Sequence, residues 1–316
     1  MGSQAAAKSY CCQSQFHLLV LFLCLPHAWS LSELFWPVIS KEGLPTGQMP
    51  LFTAREGSVA LSQRGRSPVT VETIGGVEGC TYLHGVLSKE ECEAFIEMSE
   101  TMGYTDFDQD KNTHGALSWI MRHKGGLLEE IFERCRPFLP GEVVSRDPER
   151  NPAPEKLIGL NARLRFYRYQ PNACDIFRPH RDDSFPGQGL DSTGKAFLWD
   201  VFEDERASCL TWLLYLNDDF EGGHTTFFPD GGGAIKVKPV QGSVLVFPQS
   251  RTLGDVQKGD EALYEAHFMR APLHEGSQVT DLRDGSARPK YVVRSDVLYK
   301  PAQAAVEEEV SSAKEQ

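Results

Sequence analysis

The chain has 316 residues and a formal net charge of −12, from 44 acidic against 32 basic side chains. Its hydrophobic and charged fractions, 41% and 24%, are ordinary for a globular protein, so we expect one large domain or two small ones with a sizeable core. The acidic balance argues against a nucleic-acid partner.

The N-terminus has the pattern of a targeting segment. Lys8 precedes an apolar stretch at 16–25, and Ala28 and Ser30 are small residues of the kind a signal peptidase reads. The stretch is short for a membrane span. We therefore expect residues 1–30 to be a signal peptide, with a retained signal anchor as the alternative that would bring membrane association. The expected location is the secretory pathway, in the lumen or secreted, or a plastid if the source is an alga.

Two helices are predicted after a loosely structured segment. Residues 31–70 are rich in Gly, Pro and Ser without periodicity, which predicts a linker or flexible arm. Ser88 and Glu91 have the spacing of a capping box, and the helix should run toward Gly103. A second helix is predicted over 127–135, ending before Pro137.

The remainder of the chain has the pattern of short strands. Alternation over 164–169 predicts a half-buried strand, and the apolar run 209–216 predicts a strand buried on both faces. Further strands are predicted at 225–229, 235–239, 243–247 and 290–299. Short strands separated by Gly and Pro favour a β-sandwich or jelly roll.

Three polar residues among these strands suggest a metal site. In an extended strand His180 and Asp182 point to one face and Arg181 to the other, so both could reach one ion. A third ligand must come from another strand, and His274 suits that role. Two imidazoles and one carboxylate hold ferrous iron with open positions opposite them. His267 is the rival third ligand, but it lacks the glycine that Gly276 supplies two residues after His274 to let the backbone turn near the metal.

The other histidines and the cysteines are expected to be structural. His84, His114 and His123 fall outside the predicted strands, and His224 is interpreted as a hydrogen-bonded loop residue. The five cysteines beyond the leader are odd in number and unpaired in spacing, so a disulfide-built scaffold is not expected, although one bridge is possible. They are, in order, Cys80, Cys92, Cys135, Cys174 and Cys209.

From about Val71 to Tyr299 the chain resembles the 2-oxoglutarate- and iron(II)-dependent dioxygenases, within them the prolyl 4-hydroxylase-like group. The resemblance rests on ordered motifs: RFYRY at 165–169, FRPHRD at 177–182, YLN at 215–217, EGG at 221–223 with Thr225, KP at 238–239, GS at 242–243, HEG at 274–276 and KY at 290–291. It implies a mainly β fold with flanking helices around a double-stranded β-helix (jelly-roll) core. The domain would span 71–300, with a charged tail at 301–316.

The resemblance also implies roles for single residues. His180, Asp182 and His274 would hold the iron, Lys290 would pair with the distal carboxylate of 2-oxoglutarate, and Tyr169 would donate a hydrogen bond to the same group. A buried carboxylate needs a cation, because leaving it unpaired is costly. Arg294, on the same strand face, is the alternative cation to Lys290. The segment 281–288 is interpreted as an inserted hairpin tip.

The activity implied by the resemblance is C–H hydroxylation coupled to decarboxylation of 2-oxoglutarate to succinate, with O2 as cosubstrate and L-ascorbate keeping the iron ferrous. Related halogenases lack the carboxylate ligand, so Asp182 favours hydroxylation. A peptidyl proline is the expected substrate, with a free amino acid or other small molecule as the alternative. Two other classes remain open: a non-catalytic jelly-roll binding module, and a cupin-type metal-dependent hydrolase or isomerase, which would not need Lys290.

Overall fold

The computed structural model describes residues 34–40, 49–62, 68–109, 112–123, 126–145, 153–171, 173–203, 205–250, 271–280 and 288–301. Most of its regular structure is β. The strands before the long β-rich half are β1 Phe35–Pro37, β2 Ile39–Ser40, β3 Leu51–Ala54, β4 Thr70–Thr73, β5 Thr81–His84, β6 Thr105–Gln109, β7 Asn112–Ile120 and β8 Glu142–Val143. Those after it are β9 Glu155–Leu160, β10 Arg163–Tyr169, β11 Phe177–His180, β12 Gly189–Leu190, β13 Ala196–Leu198, β14 Ala207–Tyr215, β15 Glu221–Gly222, β16 Thr225–Phe227, β17 Ile235–Val237, β18 Val244–Pro248, β19 His274–Gly276, β20 Val279–Thr280 and β21 Lys290–Pro301. The helices are α1 Lys89–Met102, α2 Leu127–Cys135 and the short 3-10 helix η1 Arg136–Phe138.

The fold is organised around β21, the longest strand. It pairs antiparallel with β10 on one side, with β14 on the other, and with β9 near its end. The described strands of this large sheet follow the order β1-β3-β7-β10-β21-β14-β18-β5-β4. A residue on β21 is therefore held in register from both sides, which makes this strand a rigid support for a functional site.

A smaller antiparallel sheet, in the order β11-β19-β16-β17, packs against the large one. Aromatic side chains fill the space between the sheets: Tyr82, Tyr215 and Phe247 come from the large sheet, and Phe227 comes from the small one. Two facing antiparallel sheets with the core between them form the jelly-roll core, and the predicted mainly β fold is confirmed.

The helices cover the opposite face of the large sheet. Phe95 of α1 and Ile131 of α2 are fully buried in a cluster with Phe166 of β10 and Trp212 of β14. Alternate residues of the central strands thus face the helices or the small sheet, and both faces of these strands are buried.

Both predicted helices are confirmed. Ser88 accepts a hydrogen bond from the Glu91 backbone, and the Glu91 carboxylate accepts one from the Ser88 backbone, as the capping-box sequence predicts. The same carboxylate forms a buried ion pair with Arg134 of α2 at 2.8 Å. Glu91 therefore begins one helix and ties it to the other.

The prediction of a linker or flexible arm at 31–70 is corrected for its described residues. β1 pairs with β3, β3 pairs with β7, and β2 pairs with β13. Val38 and Leu51 are buried beside Ile120 and Phe197. The strands are too short to show periodicity, and their order comes from pairing with the edge of a sheet formed by distant sequence.

Two strand expectations also need correction. β10 is buried on both faces, because Arg165, read as a solvent-facing residue, lies inside and pairs with Asp296. His84 and His114 lie within β5 and β7, not outside strands. Arg165 and His114 are buried, and buried polar residues of a strand show the same sequence pattern as solvent-exposed ones.

No disulfide joins the five cysteines beyond the leader, all of which lie in the described part of the chain, and all but Cys174 are buried. The leader at 1–30 and tail residues 302–316 lie outside the described residues. Among those described, no helix combines the length and hydrophobicity needed to cross a membrane.

Candidate functional site

Strand pairing brings together the two histidines predicted to bind metal. β11 and β19 are antiparallel neighbours, and His180 lies directly opposite His274 in their register. The ring centroids are 4.4 Å apart. Each Nδ1 faces a backbone carbonyl, that of Arg178 at 2.7 Å and that of Pro272 at 3.0 Å. An Nδ1–H donated to these carbonyls leaves the Nε2 lone pair of each ring free to bind a metal.

Asp182 completes the cluster. Its Oδ1 lies 3.4 Å from Nε2 of His180, and its Oδ2 lies 3.7 Å from Nε2 of His274. One potential ligand atom from each residue lies within 4.8 Å of the others. Asp182 Oδ2 accepts a hydrogen bond from Thr211 Oγ1 at 2.6 Å, and Oδ1 is ion-paired with Arg294 Nη1 at 2.7 Å. Two imidazoles and one carboxylate form a donor set that fits a divalent metal ion.

The protonation states also suit metal binding. Burial lowers the pKa of His274 to about 4, against the opposing effect of Asp182, so its imidazole is neutral near pH 7. Burial raises the pKa of the Asp182 carboxyl, but Arg294, His274 and His180 together hold it well below its ordinary value. Neutral imidazole and ionised carboxylate are the forms that coordinate a metal.

The cluster lies in a cavity between the two sheets. Both sheets contribute polar and aromatic side chains to its wall: Tyr167, Tyr169, Phe177, Thr211, Thr225, Phe247, Lys290 and Arg294 surround the three candidate ligands. Thr225 is a buried hydroxyl in this wall that the motif reading did not assign to the site.

Lys290 is the first residue of β21 and is only 2% exposed. Its ammonium donates to the Gly223 carbonyl at 2.7 Å and lies 5.0 Å from the Tyr169 ring centroid. No carboxylate of a described residue pairs with it, and burial lowers its pKa to about 7. A buried amine of this kind is suited to bind an anionic ligand group.

The backbone conformation and close packing at position 223 favour glycine. Its φ is +61°, and a Cβ there would lie 2.7 Å from the Phe220 ring and 3.2 Å from Cδ of Lys290. The missing side chain therefore lets the Gly223 carbonyl approach the lysine.

Tyr169 lies buried in the cavity wall beside Lys290. Burial raises its pKa well above the ordinary value, so the phenol is neutral and can donate a hydrogen bond.

Gly276 does not form the expected turn: it lies in β19, opposite Phe177 and Thr225. A Cβ there would be 3.2 Å from Cβ of Phe177, so close strand packing explains this glycine.

Arg294, the alternative cation, occupies a different environment. Its Nη1 lies 2.7 Å from Asp182 Oδ1, and its Nη2 lies 3.6 Å from Asp296 Oδ1. Two carboxylates thus already surround this guanidinium. Of the two predicted cations, Lys290 has the environment expected for the distal carboxylate of a cosubstrate.

Three other histidines bear on the sequence interpretation of the site. His267, the rival ligand, lies outside the described residues. The His224 carbonyl accepts a hydrogen bond from Ser277, in the loop between β15 and β16. His114 stacks on Phe177 with centroids 5.3 Å apart and lies 5.3 Å from Tyr169, so it supports the cavity wall. The sequence signal for His114 was its alternation with Ala116 and Ser118 along one strand.

No protein-family model matches the chain. A curated relative, Prolyl 4-hydroxylase 1 of Arabidopsis thaliana, is 26% identical over 182 residues, covering 52% of this chain and 56% of the relative. The chain thus spans about half the length of the curated relative it matches. The resemblance to prolyl 4-hydroxylases predicted from the motifs is confirmed by this relative.

Solved structures similar to the chain carry related descriptions. One is the viral collagen prolyl hydroxylase of Paramecium Bursaria Chlorella virus-1 in its 2OG complex, with a TM-score of 0.41 and 17% identity, covering 70% of this chain and 96% of that one. Another is a prolyl-4-hydroxylase of Pseudomonas putida, with a TM-score of 0.37 and 12% identity, covering 74% of this chain and 93% of that one.

Proposed function

We propose that this protein is an iron(II)- and 2-oxoglutarate-dependent dioxygenase that hydroxylates an unactivated C–H bond, with a peptidyl proline as its substrate. The observation that carries the proposal is the convergence of His180, Asp182 and His274 within 4.8 Å, in a cavity that also contains buried Lys290. Bound iron, 2-oxoglutarate and O2 would supply the oxidising chemistry, with succinate and CO2 as products.

In this proposal the chain holds and orients the reactants. The two imidazoles and the Asp182 carboxylate would hold the iron. Lys290 receives the distal carboxylate of 2-oxoglutarate, and Tyr169 donates to the same carboxylate. The aromatic wall excludes water from the reacting centre.

The substrate part of the proposal rests on the curated relative. The curated relative is a prolyl 4-hydroxylase, which favours a proline in a peptide. Hydroxylation of a free amino acid or another small molecule would use the same metal and cosubstrate residues. L-Ascorbate as the reductant that maintains ferrous iron, and a location in the secretory pathway, are further parts of the proposal.

Succinate release from 2-oxoglutarate tests the proposal. The purified protein is loaded with Fe(II) without oxygen, and turnover is measured before and after oxygen is admitted. We expect oxygen-dependent turnover in the wild type, none in Asp182→Ala, and turnover only at high 2-oxoglutarate concentration in Lys290→Ala. Asp106→Ala and Lys156→Ala, which change exposed residues on β6 and β9, are the matched controls.

Equal turnover in all variants would reject the proposal. Metal binding without 2-oxoglutarate turnover would instead favour the hydrolase or isomerase class, and absence of metal binding would favour a non-catalytic module.

If the protein turns over 2-oxoglutarate, a screen of proline-rich peptides for a mass increase of about 16 Da, one oxygen atom, would identify the substrate class.

A further inference from the structure

A second group of buried cations lies at the end of the cavity away from Lys290. Arg294 lies four residues along β21 from Lys290, on the same face. Beside it, Arg165 donates to Asp296 at 3.3 Å and to Gln188 at 3.4 Å. The Phe185 ring lies under both guanidiniums, 4.4 Å from that of Arg165 and 5.5 Å from that of Arg294. The ring holds the two cations side by side in a polar wall.

This group has more donors than the described residues satisfy. Nε and Nη2 of Arg294 are buried and make no hydrogen bond within the described part of the chain. Nε2 of Gln188, a residue that is fully buried, also lacks a partner there. Arg294 lies in the cavity wall, and buried donors without acceptors are costly, so its Nε and Nη2 indicate a ligand with acceptor atoms.

The formal charges point in the same direction. In the metal-free protein Arg165 and Arg294 are balanced by Asp182 and Asp296. A divalent metal ion on Asp182 adds two positive charges, and the metal-binding carboxylate of 2-oxoglutarate removes one. The other carboxylate of 2-oxoglutarate is matched by Lys290. Among the described residues around the site, one positive charge would therefore remain uncompensated by a buried carboxylate, which is costly.

One further acidic group, Asp183, does not remove this excess. Asp183 acts on Arg294, but it is exposed to solvent and its Oδ1 accepts a hydrogen bond from Ser250 Oγ. An exposed carboxylate is screened by water and compensates a buried charge poorly.

We propose that Arg294, supported by Arg165 and Gln188, forms a carboxylate-binding subsite for the oxidised substrate. This inference rests on the proposed function and refines its substrate class. The substrate would carry a carboxylate close to the C–H bond that is hydroxylated: an acidic side chain or C-terminus next to the target residue of a peptide, or the carboxylate of a free amino acid. A planar guanidinium binds such a group through two parallel hydrogen bonds.

Paired probes test the subsite without turnover. The full chain is loaded with Mn(II) and 2-oxoglutarate without oxygen, and binding is measured by calorimetry. The probes are free proline, proline peptides with an acidic neighbour, and proline peptides with a free C-terminus, each compared with its amide. We expect at least one acid to bind about 30-fold more tightly than its amide, as for a charge-assisted hydrogen-bond pair. The acid that shows the preference identifies which carboxylate source the site uses.

Variants then assign the preference to Arg294. We expect Arg294→Gln to bring acid and amide within about 3-fold of each other, and Arg294→Lys, which keeps the charge but loses the planar fork, to retain part of the preference. Arg136→Gln, an exposed arginine at the end of α2, is the matched control and should leave it unchanged. Arg294→Lys also provides the test where Arg294→Gln does not fold.

Three results would overturn the inference. In the first, no acid binds more tightly than its amide to the wild type. In the second, the preference persists in both Arg294 variants. In the third, those variants weaken 2-oxoglutarate binding to the Mn(II)-loaded protein by the same factor as acid binding, so that the cosubstrate carboxylate is the group bound. Intact Mn(II) and 2-oxoglutarate binding in the wild type distinguishes failure of the subsite from failure of the proposed function.

Discussion

The two ends of the cavity hold a cation each on one face of β21, in opposite environments. Lys290 meets a carbonyl and aromatic rings, and burial lowers its pKa to about 7. Arg294 meets two carboxylates, and its pKa is raised because Asp182 and Asp296 outweigh the effect of burial. On the same strand, the protein therefore destabilises the charged form of Lys290 and stabilises the charged form of Arg294.

This contrast separates two uses of a buried charge. A cation paired within the protein contributes to folding and to the alignment of its partner, here the candidate ligand Asp182. A buried cation without a carboxylate partner in the protein lowers the stability of the fold, and binding of an anion to it raises that stability again. The Lys290 end is thus suited to an anion that the protein itself does not supply. The Arg294 end links the site to the fold through Nη1, while its Nε and Nη2 remain as donors for a ligand.

Replacement of Arg294 by methionine should have the largest effect on stability. It leaves Asp182 and Asp296 buried with fewer cations, so we expect a loss of about 3–5 kcal/mol in the free energy of unfolding of the metal-free protein. Denaturant unfolding followed by circular dichroism measures this loss. Arg136→Met, an exposed change, should cost less than about 1 kcal/mol. Equal stabilities for the two variants would contradict the assigned role of Arg294.

Replacement of Lys290 by methionine should leave stability intact and weaken 2-oxoglutarate binding. Removing an uncompensated buried ammonium should leave the metal-free protein as stable as the wild type or more stable. Affinity for 2-oxoglutarate should fall about 100-fold, since a buried charge pair in the complex is lost. Calorimetry on the Mn(II)-loaded protein measures the second effect, with Lys156→Met as the exposed control. Unchanged 2-oxoglutarate affinity would remove Lys290 from the site.

The candidate metal residues could be found from the sequence because their spacing in a strand places them on the same face. His180 and Asp182 alternate at the end of a strand, and the HEG motif with His274 marks a partner strand. The sequence did not show that these histidines are cross-strand neighbours, because register depends on pairing of distant segments. It also could not separate Lys290 from Arg294, since both lie on one face and only tertiary contacts distinguish them.

The fold was predicted best where local signals are strong. The capping box at Ser88 fixed the start of α1, because the hydrogen bonds lie within one turn. The strands of 31–70 were missed, because each is held by pairing partners far away in the chain. The burial of Arg165 was missed for a related reason. Its partner Asp296 lies far away in the sequence, on β21, and the sequence alone does not distinguish a buried arginine from an exposed one.

The lysine end should also show a distinctive pH dependence. The pKa of Lys290 is lowered to about 7, against an ordinary value of about 10.4 in the unfolded chain. Between these values the unfolded chain binds the extra proton, so the contribution of Lys290 to stability rises with pH by up to about 1.4 kcal/mol per unit. Comparing wild type with Lys290→Met at pH 7, 8 and 9 by denaturant unfolding isolates this contribution.

Affinity for 2-oxoglutarate should change in the opposite direction over the same window. Binding needs the ammonium form, so the affinity of the wild type should decrease as pH rises above about 7. Lys290→Arg, which stays charged, should bind with little change over this range. Parallel pH profiles for the two proteins would show that the charge state of Lys290 does not control cosubstrate binding.

The hydroxyl of Thr211 gives the smallest test, at the arginine end. It donates to Asp182 Oδ2 at 2.6 Å and accepts from Gln249 Nε2 at 3.2 Å, so it fixes the orientation of the carboxylate. Thr211→Val keeps the shape and removes both hydrogen bonds, and we expect a loss of about 1 kcal/mol in stability. Metal affinity should fall about tenfold, as for other groups that orient a ligand. Calorimetric titration with Mn(II) measures it, and Thr101→Val, an exposed change in α1, should leave it unaltered. Full metal affinity in Thr211→Val would mean that Arg294 alone is sufficient to orient Asp182.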